Sequence, residues 1–91
     1  MILTNELCRE LVDLTIFGEE FDDAEELKTP MRDRRMFFND KMVSIFSSDA
    51  VALKRDYHYA QEKIDIDPEV PGPFAFMENE EGAVLVVERL K

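Results

Sequence analysis

Ninety-one residues, 45% of them hydrophobic and 35% charged, make one small globular domain rather than a disordered chain. The net charge of −10 excludes most modes of direct nucleic-acid or anionic-membrane binding, because such a surface is repelled by phosphate. Its natural partners are basic or neutral protein surfaces. Residues 1–29 carry nine acidic and two basic side chains, residues 30–64 five and seven, and residues 65–91 seven and two. The acid therefore sits at the two ends of the chain. The single cysteine, Cys8, rules out an internal disulfide. With no basic leader and no apolar run near membrane length, a cytoplasmic protein with no membrane association is expected.

The first periodic stretch is Leu7, Leu11 and Leu14, widened by Cys8, Val12 and Ile16. Thr4 or Asn5 is the N-cap, and Gly18 stands where a left-handed C-terminal residue belongs, so a helix is expected over 5–17. Cys8 has no neighbouring His, Lys or Cys and reads as a small buried hydrophobe.

Glu19, Glu20, Asp22, Asp23, Glu25 and Glu26 follow, six carboxylates in eight residues. Phe21 and Leu27 can anchor a short helical turn there. Such a run is either a solvated face or an array that docks on a basic groove, in the manner of a DNA mimic.

Thr29-Pro30 is a strong helix start, and Phe38, Met42 and Ile45 continue at helical spacing. Phe46, Ala50, Leu53, Tyr57, Ala60 and Ile64 then form a seam of heptad type. Ser47-Ser48-Asp49 is a second N-cap signal, so the helix expected over 30–64 is broken there or runs on as one. Unbroken, it would be about 52 Å long and would require self-association. Arg32, Arg34 and Arg35 are the only basic cluster, suited to pairing with the 19–26 segment or, less favourably, to holding a small anionic nucleotide. His58, the only histidine, falls on the exposed flank.

Ile64-Asp65-Ile66-Asp67 alternates and suggests a short strand; its two aspartates alone are weak grounds for a metal site. Pro68, Pro71, Gly72 and Pro73 form a stiff connector over 68–73. The last segment, 74–89, reads as an antiparallel β-hairpin turning at Asn79-Glu80-Glu81-Gly82. Val84, Leu85, Val86 and Val87 are apolar on both faces of their strand, so both faces must be covered. A second chain is one way to do it, which makes these four residues candidates for self-association or a partner interface.

The expected architecture is a single α+β domain over 1–91: three α-helices, or two long ones, within 5–64, then the C-terminal antiparallel β-hairpin. No nucleophile motif, glycine-rich phosphate loop, cofactor motif or metal-ligand spacing is recognisable, so no catalytic, cofactor or metal residues are assigned. The composition suits a non-enzymatic protein that binds and inhibits a partner with a basic surface, such as a nucleic-acid-handling enzyme, through Glu19, Glu20, Asp22, Asp23, Glu25 and Glu26. Phage-encoded inhibitors of host defence, immunity proteins and antitoxins share that composition, by analogy only. The alternative is a structural or adaptor subunit assembled through the hairpin and the helical seam, and on either reading a homo-oligomer is expected.

Overall fold

The computed structural model describes residues 3–28 and 33–89. The chain forms α1 (Asn5–Asp13), α2 (Gly18–Asp22), β1 (Glu25–Leu27), β2 (Arg34–Phe38), β3 (Met42–Ser47), α3 (Ala50–Lys63), β4 (Pro73–Glu78) and β5 (Ala83–Glu88). All five strands join one antiparallel sheet in the order β1-β2-β3-β5-β4. This overturns the expected layout of helices over 5–64 followed by a separate hairpin, although the α+β class stands.

The largest correction falls on residues 33–47, expected as helix and folded as a hairpin. Phe37, Phe38, Val43, Ile45 and Phe46 are β-branched or aromatic, and between them Asn39-Asp40 supplies turn chemistry. The Asn39 side-chain oxygen accepts from the backbone N–H groups of Lys41 and Met42, at 2.8 and 2.9 Å, which closes the turn. Phe38, Met42 and Ile45 matched helical spacing by coincidence of a turn between two strands. Thr29-Pro30, the expected helix start, lies outside the described residues, as does Arg32. The second N-cap signal is where the long helix begins: the Asp49 carboxylate accepts from the Ala52 N–H at 3.0 Å. From there the expected seam is the packed face, with Leu53 and Ala60 buried and Tyr57 stacked on Phe76.

Helix α1 is capped by Thr4, whose hydroxyl accepts from the Leu7 N–H at 3.1 Å. It ends four residues earlier than expected. Thr15 turns the chain instead, donating to the Val12 carbonyl at 2.6 Å and accepting from the Phe17 N–H at 3.0 Å. Gly18 is not a left-handed cap, since no glycine has positive φ; it opens the short α2. Ile64–Asp67 forms turns after α3 rather than a strand, with Ile66 exposed.

The C-terminal hairpin forms where the sequence placed it, but β5 lies inside the sheet, between β3 and β4. Asn79 closes its turn, accepting from the N–H groups of Glu81 and Gly82. A side chain at Gly82 would begin 2.8 Å from the Ser47 carbonyl oxygen, so the turn needs glycine to pass the end of β3. One face of β5, Val84 and Val86, packs with Leu7, Leu11, Met42 and Phe46 beneath α1. The other, Ala83, Leu85 and Val87, packs with Leu53 of α3. Both faces are thus covered by the chain itself, and the coverage that the sequence demanded of Val84–Val87 needs no second copy.

Candidate functional site

Sheet register divides the acidic segment. Residues of β1 alternate, so Glu26 shares a face with Phe37 and α1, whereas Glu25 and Leu27 belong to the opposite face with Phe38 and Met36. Glu26 takes a bidentate ion pair from Arg35, with Nε to Oε2 and Nη2 to Oε1 both 2.8 Å. Arg35 also donates to the Leu3 carbonyl at 3.1 Å and lies 5.1 Å from the Phe37 ring centroid. The Arg35 hydrogen bonds hold the Glu26 carboxyl below the usual range, and the same pairing raises Arg35. Asp22 is engaged by Arg9, which also reaches Asp13 at 3.3 Å.

Two of the six carboxylates therefore serve the fold. Glu19, Glu20, Asp23 and Glu25 are exposed and have no ion-pair partner among the described residues. The β2–β3 turn adds Asp40 to them. Asp23, Glu25 and Asp40 rim one cleft of about 210 Å³ with Phe38, Asn39 and Arg89. Glu20, Asp23 and Asp40 rim another of about 200 Å³, beside Lys41. The Asn39 amide donates to the Glu20 carbonyl at 3.0 Å and so fixes α2 against the turn. The result is one acidic end of the sheet, assembled from α2, β1 and the β2–β3 turn.

Three of the described arginines are already engaged within the fold. Arg34 pairs with Asp56 of α3 at 2.9 Å, Arg35 with Glu26, and Arg89 spreads over the Phe38 ring at 5.0 Å while donating to the Asn39 carbonyl. A nucleotide pocket built on Arg34 and Arg35 would have to break both pairs. His58 is exposed on α3, and Asp67 uses its carboxylate to accept from the Glu69 N–H. Among the described residues no three His, Cys, Asp or Glu side chains converge as metal ligands do.

A second feature was not foreseen from the sequence. Helix α3 has most of its contacts with β4 and β5, while Val43 and Ile45 of β3 pack against its Leu53 cluster and Arg34 of β2 pairs with its Asp56; beyond them that face is open among the described residues. Cross-strand pairing lines up Leu27, Met36 and Ile45 in one row and Phe38, Val43 and Val87 in the next. They line an open apolar groove of about 400 Å³ together with Pro71, Glu88 and Arg89. Phe38 and Arg89 border both this groove and the acidic cleft. Recognising the groove requires the sheet register, because these residues alternate with core residues along the chain. No family model, no curated protein and no solved structure matches the chain.

Cys8 is fully buried between α1 and the sheet. Burial pushes its thiol up from an ordinary 9.0 to about 11, against the opposing pull of Arg35. The unfolded chain gives up this proton first, so the stabilising contribution is whole below pH 9 and is lost as pH rises toward 11. The loss is at most about 2.7 kcal/mol. Denaturant midpoints at pH 8 and pH 10.5 should therefore converge when Cys8→Ala is compared with the unmodified chain. A disulfide-exchange reagent should label Cys8 only on unfolding.

Proposed function

We propose that this chain is a non-enzymatic acidic binding protein that occupies a cationic surface of a partner protein through Glu19, Glu20, Asp23 and Glu25, joined by Asp40. The observation that carries this is the division of labour among the carboxylates: Asp22 and Glu26 are tied to arginines, while Glu20, Asp23, Glu25 and Asp40 gather at one end of the sheet and Glu19, exposed on α2 next to Glu20 in sequence, is likewise without an ion-pair partner among the described residues. Like charges held together cost stability, and a cationic partner relieves that cost. Where the partner handles nucleic acid, occupation of its phosphate-binding groove would inhibit it, as a DNA mimic does.

The test is a salt-stepped capture from lysate, repeated with the Glu19→Gln/Glu20→Gln/Asp23→Asn/Glu25→Gln variant. A partner held at low salt should be released at moderate salt and should be lost with the neutralised variant. Free DNA should compete for it where the groove is a nucleic-acid site. A partner that the neutralised variant holds equally well would defeat the proposal.

A further inference from the structure

The acidic end opens onto the apolar groove, and from that continuity we infer that the groove is a docking lane for a cationic amphipathic helix of the partner. This inference rests on the reading of the acidic end given above and specifies what binds there. Neighbouring strands lie about 4.8 Å apart, so β1, β2 and β3 span roughly 10 Å, the width of one helix. Helix α3 lies on β4 and β5, and the groove beside it is open among the described residues.

The floor of that lane is apolar: Leu27, Met36 and Ile45 in one row, Phe38, Val43 and Val87 in the next. Its lining carries one carboxylate, Glu88, and Asp23, Glu25 and Asp40 stand in the adjoining cleft that shares Phe38 and Arg89 with it. Arg89, the cation at that junction, is already engaged by Phe38 and Asn39. A helix with an apolar stripe and Lys or Arg on its flanks matches both parts. A second copy of this chain does not, because two chains of net charge −10 repel one another.

The chain contains no Trp, so a Trp-labelled peptide reports binding without background. The probe is a helical peptide of about 14 residues, roughly 21 Å long, made of Leu and Lys with Leu at i, i+3, i+4 and i+7 and one Trp on the Leu stripe. It should bind at least tenfold more tightly than a scrambled peptide of the same composition. Leu27→Glu, at an exposed edge position, and Met36→Glu add negative charge to the molecule. If attraction were only electrostatic, both would tighten binding; a docking lane predicts at least a tenfold loss. Circular dichroism on each variant checks the fold, and the edge variant guards against unfolding by the inner one.

Equal or tighter binding to folded Leu27→Glu overturns the inference. So does sedimentation showing that the unmodified chain is a dimer which Leu27→Glu dissociates, since the occupant is then a second copy. If the natural partner is lost with the neutralised acidic end but kept by Leu27→Glu and Met36→Glu, the lane fails and the charge reading survives. If peptide binding is lost with Leu27→Glu while the natural partner ignores neutralisation, the charge reading is the one that falls.

Discussion

Phe46→Ala is expected to remove most of the stability of this domain, while Phe38→Ala should be tolerated. Phe46 has no exposed surface and meets the rings of Phe21 and Phe37 edge-on, at 5.5 and 5.7 Å. It stands on the middle strand, between Arg35 and Val84, beneath α1. Deleting a buried phenyl ring costs about 3–5 kcal/mol, against roughly 5–15 kcal/mol for a whole domain. A thermal midpoint lower by about 15–30 °C follows for a chain of this size. Phe38 lies on the opposite face, in the groove, with the Arg89 guanidinium over it. Its removal opens no sealed cavity, so roughly 1 kcal/mol is expected. Read as helix, both phenylalanines would belong to contiguous buried seams and would cost alike. Equal losses in the two variants would show that the register of β2 and β3 is wrong.

That contrast also marks how much was legible in the sequence. The seam Ala50, Leu53, Tyr57, Ala60 was readable because a helix repeats its packed face over several turns, and Asp49 announced its start. The C-terminal hairpin was readable because Asn79 and Gly82 punctuate two apolar runs. Residues 34–47 were not, because strands of five and six residues are too short for a period of 2 to outweigh a chance match at i, i+4 and i+7. Once β2 and β3 were read as helix, β1 had no partner and β5 no neighbour beyond β4. Without β3 beside it, the doubly apolar β5 needs cover from a third strand at Ile64–Asp67 or from a second chain, and β3 supplies it instead. The acidic segment was legible as composition but not as a surface. Which carboxylates Arg9 and Arg35 neutralise, and that Asp40 joins the rest, depend on pairings across the fold. The groove needed all of this at once, since Leu27, Met36 and Val43 come from three strands.

Threonine substitutions on β5 should separate its two buried positions beneath α1. Val84 and Val86 are both inaccessible to solvent, and Val→Thr keeps the shape while adding a hydroxyl. A buried hydroxyl without a partner costs about 1–3 kcal/mol. Val84 stands between Phe46 and Met77 in the sheet, where no side chain can bond to it, so Val84→Thr should bear the full cost. Val86 stands opposite Ser44, whose own hydroxyl is buried and has no hydrogen-bond partner. Facing hydroxyls on neighbouring strands can bond, and that would satisfy both groups. Val86→Thr should therefore be milder than Val84→Thr by about 1 kcal/mol or more. Removing the partner with Ser44→Ala should raise the cost of Val86→Thr to that of Val84→Thr and leave Val84→Thr unchanged. Denaturant midpoints of the five variants (three single and two double) make the double-mutant cycles. Were β5 an assembly surface instead, both Thr variants would change sedimentation rather than unfolding, and Ser44 would couple to neither.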